Sequence, residues 1–284
     1  MPILQRHDLR IDYADAGEGP VVLLVHGSAS SHRQWRKLID RLSPRYRVVA
    51  PNLRGAGETT AWHAQRPQTL ADAAEVVLGL VEGLGLNRPL RLVGHSFGAS
   101  VALQAAHVLG ERVIRLALYE PMLPGLLKAH GRLQAAAETQ ALHQQVRQLG
   151  GAGRWLALAE RFTDYFSGDG AWAALPAARR QMMADLLRPN LHEWDSAMTP
   201  VRADAFAGAS AQGLLMRGAT TRPALIDMAA VLHRHFGHWR RLEMPDCGHM
   251  GPLTHADAVN RHLVDFIDGA LPCTLDEGQV LTAV

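Results

Sequence analysis

Gly94-His95-Ser96-Phe97-Gly98 sets a serine between two glycines in the spacing G-x-S-x-G. The apolar run Leu90–Val93 precedes it and an Ala-rich, helix-like stretch, Phe97–Leu109, follows. A sharp strand-to-helix turn of this kind lifts a serine hydroxyl clear of the backbone, and side chains at either glycine would strike the neighbouring strand or helix. The helix start beneath the serine favours developing negative charge. Five-residue strings of this type arise by chance, and a Gly-rich turn around an ordinary serine is the plain alternative. The strand before and the helix after are what give this one weight as a nucleophile for acyl transfer.

Such a nucleophile needs a base and a pair of N–H donors for the oxygen that becomes negative. His26-Gly27 follows the apolar run Val21–Val25, so the amides of Ser28 and Phe97 are the candidate donors. The alternative for His26-Gly27 is a simple turn that frees the chain from its strand. His249 lies on a late loop, Asp246–Met250, between the last predicted strand and the last helix, which fits a serine-then-histidine chain order. With fifteen histidines in the chain, only this position singles it out. His95 reads as a packing or orienting residue pointing away from Ser96, and Cys247 as a small loop-packing residue.

These loops need a scaffold that gathers them at one edge. Near-continuous apolar runs at Val21–Val25, Arg47–Ala50, Leu90–Val93, Arg115–Tyr119, Gly213–Met216 and Arg240–Met244 read as strands covered on both faces. Ile3–Gln5 and Arg10–Tyr13 alternate more and predict an antiparallel edge hairpin. Helical spacing covers Thr69–Leu84, with Thr69 as N-cap and Asp72 three residues on, and Asp257–Ile267. The alternation predicts an α/β fold, a mostly parallel sheet of about eight strands flanked by helices. It breaks between residues 123 and 207, where Ala, Leu and Gln dominate and glycines interrupt, predicting several short helices as an inserted cap. The expected division is a core of residues 1–122 and 208–272, a cap of 123–207, and a loosely held tail of 273–284.

Composition narrows the partners. The 284 residues are 48% hydrophobic and 20% charged, with a formal net charge of +2 and no run of like charges, so neither nucleic acid nor a membrane is expected. Cys247 and Cys273 form no metal-type pair, and no metal or organic cofactor is implied. The charged N-terminus reads as no signal peptide, which predicts a cytoplasmic protein. The expected partner is a small apolar substrate molecule; a second copy of the chain is the one protein partner allowed for.

In this order, His26-Gly27, Asn52–Thr59 (NLRGAGET), Gly94–Ala99 (GHSFGA) and Cys247–Met250 (CGHM) resemble the α/β-hydrolase fold family. The likeness spans roughly residues 3 to 270 and is greatest to the capped serine branch of esterases, lactonases, carbon–carbon bond hydrolases and cofactor-free haloperoxidases. The resemblance implies Ser96 as nucleophile, His249 as base, and Ser28 and Phe97 as backbone oxyanion donors. Two positions depart from the pattern. Asn52 stands where an Asp is usual, which the resemblance ties to a structural contact near Arg54. Thr221 stands where the acid usually follows the strand Gly213–Met216, at close to the expected interval from His249.

A triad without its acid loses about 10⁴ in turnover, because the imidazole loses its tautomer and its charge partner. Glu120, ending the strand Arg115–Tyr119 at the same sheet edge, is the favoured replacement, and some haloalkane dehalogenases of the family place their acid at the end of this strand. Its alternative is a loop residue before Pro121. Asp227 is the second candidate, with a solvated helix face as its plain reading. A third arrangement has no acid, with His249 oriented by Thr221 or a carbonyl. The expected activity is serine hydrolysis of a small to medium apolar ester, thioester or lactone. Serine at the elbow argues against dehalogenation or epoxide opening, which the family performs with aspartate. The competing readings are a carbon–carbon bond hydrolase and a degenerate, ligand-binding protein.

Overall fold

A computed structural model of the chain describes residues 2–270 and 281–282. Eight strands build the sheet: β1 Ile3–Arg6, β2 Leu9–Ala16, β3 Val21–Val25, β4 Arg47–Pro51, β5 Leu90–His95, β6 Val113–Tyr119, β7 Gln212–Gly218 and β8 Arg240–Met244. Two further residues, β9 Leu281–Thr282, pair parallel with β8. The order is β1-β2-β4-β3-β5-β6-β7-β8-β9. The β1–β2 hairpin is antiparallel at one edge, β2 joins β4 antiparallel, and every pair from β4 onward is parallel. The tail expectation after Pro272 falls mostly outside the described residues.

Eleven α-helices accompany these strands among the described residues. Those of the first half are α1 Arg36–Leu42, α2 Leu70–Gly83 and α3 Phe97–Leu109. Between β6 and β7 come α4 Gly125–Ala129, α5 Leu133–Gly151, α6 Trp155–Ser167, α7 Ala177–Leu186 and α8 Asn190–Met198. The last three are α9 Pro223–His235, α10 Gly251–Thr254 and α11 Ala256–Asp268. One departure from the sequence reading lies in α5, which runs for 19 residues and takes Gly150 and Gly151 into its last turn. Ala and Gln favour the helix strongly enough to absorb both glycines, at about 1 kcal/mol each.

Strand periodicity decides which helix each residue meets. In β3, Val21, Leu23 and Val25 pack among side chains of α2 and α3, whereas Val22 and Leu24 pack among those of α1 and α11. All five are buried, which is why the run carries no polar alternation. The N-terminus of α2 is fastened as its sequence suggests. Thr69 Oγ accepts from the Asp72 amide at 3.2 Å, and the Asp72 carboxylate accepts from the Thr69 amide at 2.8 Å. A third cluster joins α5, α6 and α8 through Phe162, Phe166, Trp172 and Trp194, so these aromatics serve chiefly as the core of the helical insertion.

The parallel strands all point their carboxyl ends at one edge, where ligands of open α/β sheets bind. The turn after β5 fits there only because its glycines lack side chains. A Cβ on Gly98 would stand 2.1 Å from the His26 carbonyl oxygen and 2.6 Å from that of Val25, both backbone atoms that cannot swing away. We expect Gly98→Ala to lower the urea unfolding free energy by about 3 kcal/mol or more. A loss under about 1 kcal/mol would show that β3 and α3 are not held this closely.

Candidate active site

Ser96 occupies the sharp turn between β5 and α3 with φ 55° and ψ −125°, a conformation that L-residues seldom adopt. The turn is pinned from β6 and the chain beyond it: the Ser96 amide donates to the Tyr119 carbonyl at 2.9 Å, and the Met122 amide donates to the Ser96 carbonyl at 3.2 Å. The hydroxyl is thereby presented to the loop after β8. His249 Nε2 lies 2.9 Å from Ser96 Oγ, and both residues are buried.

Glu120 follows β6 directly, at φ 46° and 1% exposed. Its carboxylate reaches across the next strand. Oε1 accepts from the Gly218 amide at 2.7 Å, at the end of β7. Oε2 accepts from Thr221 Oγ1 at 2.8 Å and faces His249 Nδ1 at 2.8 Å. Burying a carboxylate is expensive unless it is paired and hydrogen-bonded, and three donors do that here. The carboxylate that meets His249 therefore comes from the end of β6, and Thr221 supplies a hydroxyl to it. With Nδ1–H committed to the carboxylate, Nε2 is left as the acceptor for the serine proton. Asp227 is not part of this group; its carboxylate pairs with Arg132 at 3.4 Å.

Two further histidines hold the frame. His95 Nε2 donates to the His249 carbonyl at 2.9 Å, and its Nδ1 accepts from Gln34 Nε2 at 3.2 Å. Gln34 Oε1 in turn accepts from the Gly27 amide at 3.2 Å. His95 thus orients the histidine loop, and burial holds its pKa well below the ordinary value. His26 is wholly enclosed: Nδ1 donates to the Gly27 carbonyl at 2.7 Å, and Nε2 accepts from the Leu53 amide at 3.0 Å. Burial drags its pKa from 6.5 to about 4, so it stays neutral. Because the Gly27–Ser28 peptide is planar and trans, turning its carbonyl toward His26 turns the Ser28 N–H the other way. The loop lies close over Ser96: a Cβ on Gly27 would sit 3.2 Å from Ser96 Cβ.

Asn52 makes its contacts away from Arg54. Its Nδ2 donates to Asp12 at 2.8 Å and its Oδ1 accepts from the His32 amide at 2.9 Å, while Arg54 pairs with Glu75 at 2.6 Å. An aspartate at 52 would oppose the Asp12 carboxylate, which explains the amide. Sequence reading also missed Tyr119, whose hydroxyl donates to the Gly248 carbonyl at 2.9 Å; Phe166 approaches too, its ring centroid 4.6 Å from that of His249. Both act across more than eighty residues of chain, and no local pattern announces them. Beside His249 a cleft of about 610 Å³ opens between Tyr165 and Phe166 of α6 and Thr221 and Arg222 of the β7–α9 loop. Among the described residues no group of three His, Cys, Asp or Glu side chains is placed to hold a metal ion, and no helix is long and apolar enough to cross a membrane.

A family model described as the alpha/beta hydrolase family matches residues 22–262. The 2-hydroxy-6-oxo-6-phenylhexa-2,4-dienoate hydrolase of Burkholderia cepacia is 25% identical over 277 residues, covering 92% of each chain. The soluble epoxide hydrolase of Corynebacterium sp. (strain C12) is 37% identical over 123 residues, a match that spans 42% of this chain and only 41% of that protein. Among solved structures, MGS-M2, an alpha/beta hydrolase enzyme from a Medee basin deep-sea metagenome library, superposes with a TM-score of 0.79 at 16% identity, covering 98% of this chain and 100% of that one.

The neutral, enclosed His26 gives a signed expectation for stability. Its folded pKa lies below its unfolded value, so the unfolded chain takes the proton first. The stabilisation is complete above pH 6.5 and is lost as the pH falls toward about 4, amounting to on the order of 3 kcal/mol. His95 acts in the same direction. Urea unfolding at stepped pH should show this decline, with a smaller slope in His26→Gln. An identical slope in that variant would assign the decline to other groups.

Proposed function

Because the chain belongs to the alpha/beta hydrolase family, we propose that it is a serine hydrolase that cleaves a carbonyl substrate through an acyl-enzyme on Ser96. The observation that carries this is the continuous path from Ser96 Oγ through His249 to Glu120, at 2.9 and 2.8 Å. His249 Nε2 takes the serine proton as Oγ attacks the carbonyl carbon, and the imidazolium is balanced by Glu120. The oxyanion is received by the amides of Ser28 and Phe97. Collapse breaks the bond to the leaving group, which departs with the proton from His249. Water, activated by the same histidine, then frees the acid and restores Ser96.

In this reading residues 123–207 act as a lid over a core of residues 1–122 and 208–272. Phe166, tilted against the His249 ring, and the apolar cluster behind it favour a small to medium apolar ester, thioester or lactone. No cofactor takes part, and a cytoplasmic setting belongs to the same proposal. A second reading, carbon–carbon bond hydrolysis, is favoured by the full-length likeness to the dienoate hydrolase and needs the same parts. The serine nucleophile sets the chain apart from epoxide opening despite the partial match to an epoxide hydrolase. Against a degenerate binding protein stands Thr221 itself, which donates to the acid instead of leaving a gap.

A fluorophosphonate probe should label the protein, and Ser96→Ala should abolish labelling; no labelling of the parent protein would remove the nucleophile from the proposal. On p-nitrophenyl esters, Glu120→Gln should lower kcat by about 10³ to 10⁴ with the fold intact by circular dichroism. Asp227→Asn, remote from the site, should stay within about twofold. Equal small effects from the two variants would sink the assignment of Glu120.

A further inference from the structure

The helical insertion carries a buried polar pair that the reaction scheme leaves unused. Asn190 and Glu193 lie three residues apart on one face of α8, and Asn190 Nδ2 donates to Glu193 Oε2 at 3.1 Å. Asn190 is 1% exposed and Glu193 7%. Asn190 Oδ1 is buried without any hydrogen-bond donor among the described residues. The Glu193 carboxyl is faced by Asn190 and the Ser28 side chain, with no cation acting on it, and its burial pushes its pKa up. Ser28 belongs to the loop whose Gly27 lies against Ser96, which brings Glu193 to the outer side of that loop.

A structural tie between the insertion and the core does not call for this chemistry. A buried carboxyl costs several kcal/mol to desolvate, and well-packed apolar residues would join two helices at least as stably. Buried polar groups are normally satisfied, so the Asn190 carbonyl oxygen without a donor, beside a carboxyl without a cation, marks a place that a further donor would fill. Position narrows the ligand. The leaving group must reach His249 Nε2 to collect its proton, which leaves the side of the pocket at Ser28 to the acyl part of the substrate.

We propose that Glu193 and Asn190 form a polar subsite that receives a hydrogen-bond-donating group, hydroxyl or ammonium, on the acyl chain close to the scissile carbonyl. This rests on the serine-hydrolase reading and sharpens it: the substrate is a substituted acyl compound. A site built to bond a substrate hydroxyl discriminates strongly against the analogue that lacks it, because its own buried groups are then left unpaired.

The test compares kcat/KM for the p-nitrophenyl esters of butyrate, 3-hydroxybutyrate and 3-aminobutyrate. The parent protein should favour one substituted ester over butyrate by about tenfold or more, and which one distinguishes a hydroxyl from an ammonium. The preference should shrink toward unity in Glu193→Leu and survive in part in Glu193→Gln. Should Glu193→Leu fail to fold, Asn190→Ala reads the same ratio. If Ser96 takes the fluorophosphonate label but the ratio is indifferent to residues 193 and 190, the subsite is overturned and the hydrolase reading stands. If the parent protein is neither labelled nor active on any ester, both fall.

Discussion

A single buried carboxylate organises the working edge of this molecule. Glu120 sits with essentially no exposure at the end of β6, and a charge there is tolerable only because three donors converge on it. Each donor comes from a different place: the Gly218 amide from the end of β7, the Thr221 hydroxyl from the loop beyond, and His249 from the loop after β8. Satisfying one charge therefore locks three segments into register. The histidine that results has one nitrogen committed and the other aimed at Ser96.

The same edge depends on backbone approaching backbone more closely than side chains allow. Ser96 and Glu120 both hold positive φ just beyond the adjacent strands β5 and β6, and each is tied to the next strand: Ser96 N–H bonds to the Tyr119 carbonyl of β6, and Glu120 N–H bonds to the Met216 carbonyl of β7 at 2.9 Å. The strain at these two residues is repaid by the parallel sheet, whose strands are buried on both faces and cannot shift singly. His26 and His95, neutral within this interior, extend the frame by hydrogen bonds to peptide groups. They act as fixed, uncharged struts, in contrast to His249, whose partner is a carboxylate.

Over this rigid edge lies a helical insertion of a different character. Its aromatic residues share a cluster with Leu225 and Met228 of α9, and Leu126 and Ala197 join the cluster under α2 and α3. Phe166 lies against the His249 ring, Glu193 meets Ser28, and Arg222 Nε donates to the Tyr165 carbonyl at 3.0 Å. The cleft beside His249 is accordingly walled on one side by α6 of the insertion and on the other by the loops after β7 and β8.

The parts of this protein that a local pattern can encode are legible in its sequence. Apolar runs of strand length announced the parallel sheet, Thr69 and Asp72 announced the start of α2, and the glycines around Ser96 announced a turn that only glycines permit. His249 was legible through its order in the chain, and Glu120 through its place at the end of a strand. Whether Glu120 reaches His249 was a matter of distance between residues 129 positions apart, and so were the parts played by Thr221, Tyr119, Gln34 and Glu193. Periodicity and turn chemistry act between neighbours in sequence and so can be read from it. The satisfaction of a buried charge depends on which loops the sheet brings together, and that only the tertiary structure decided.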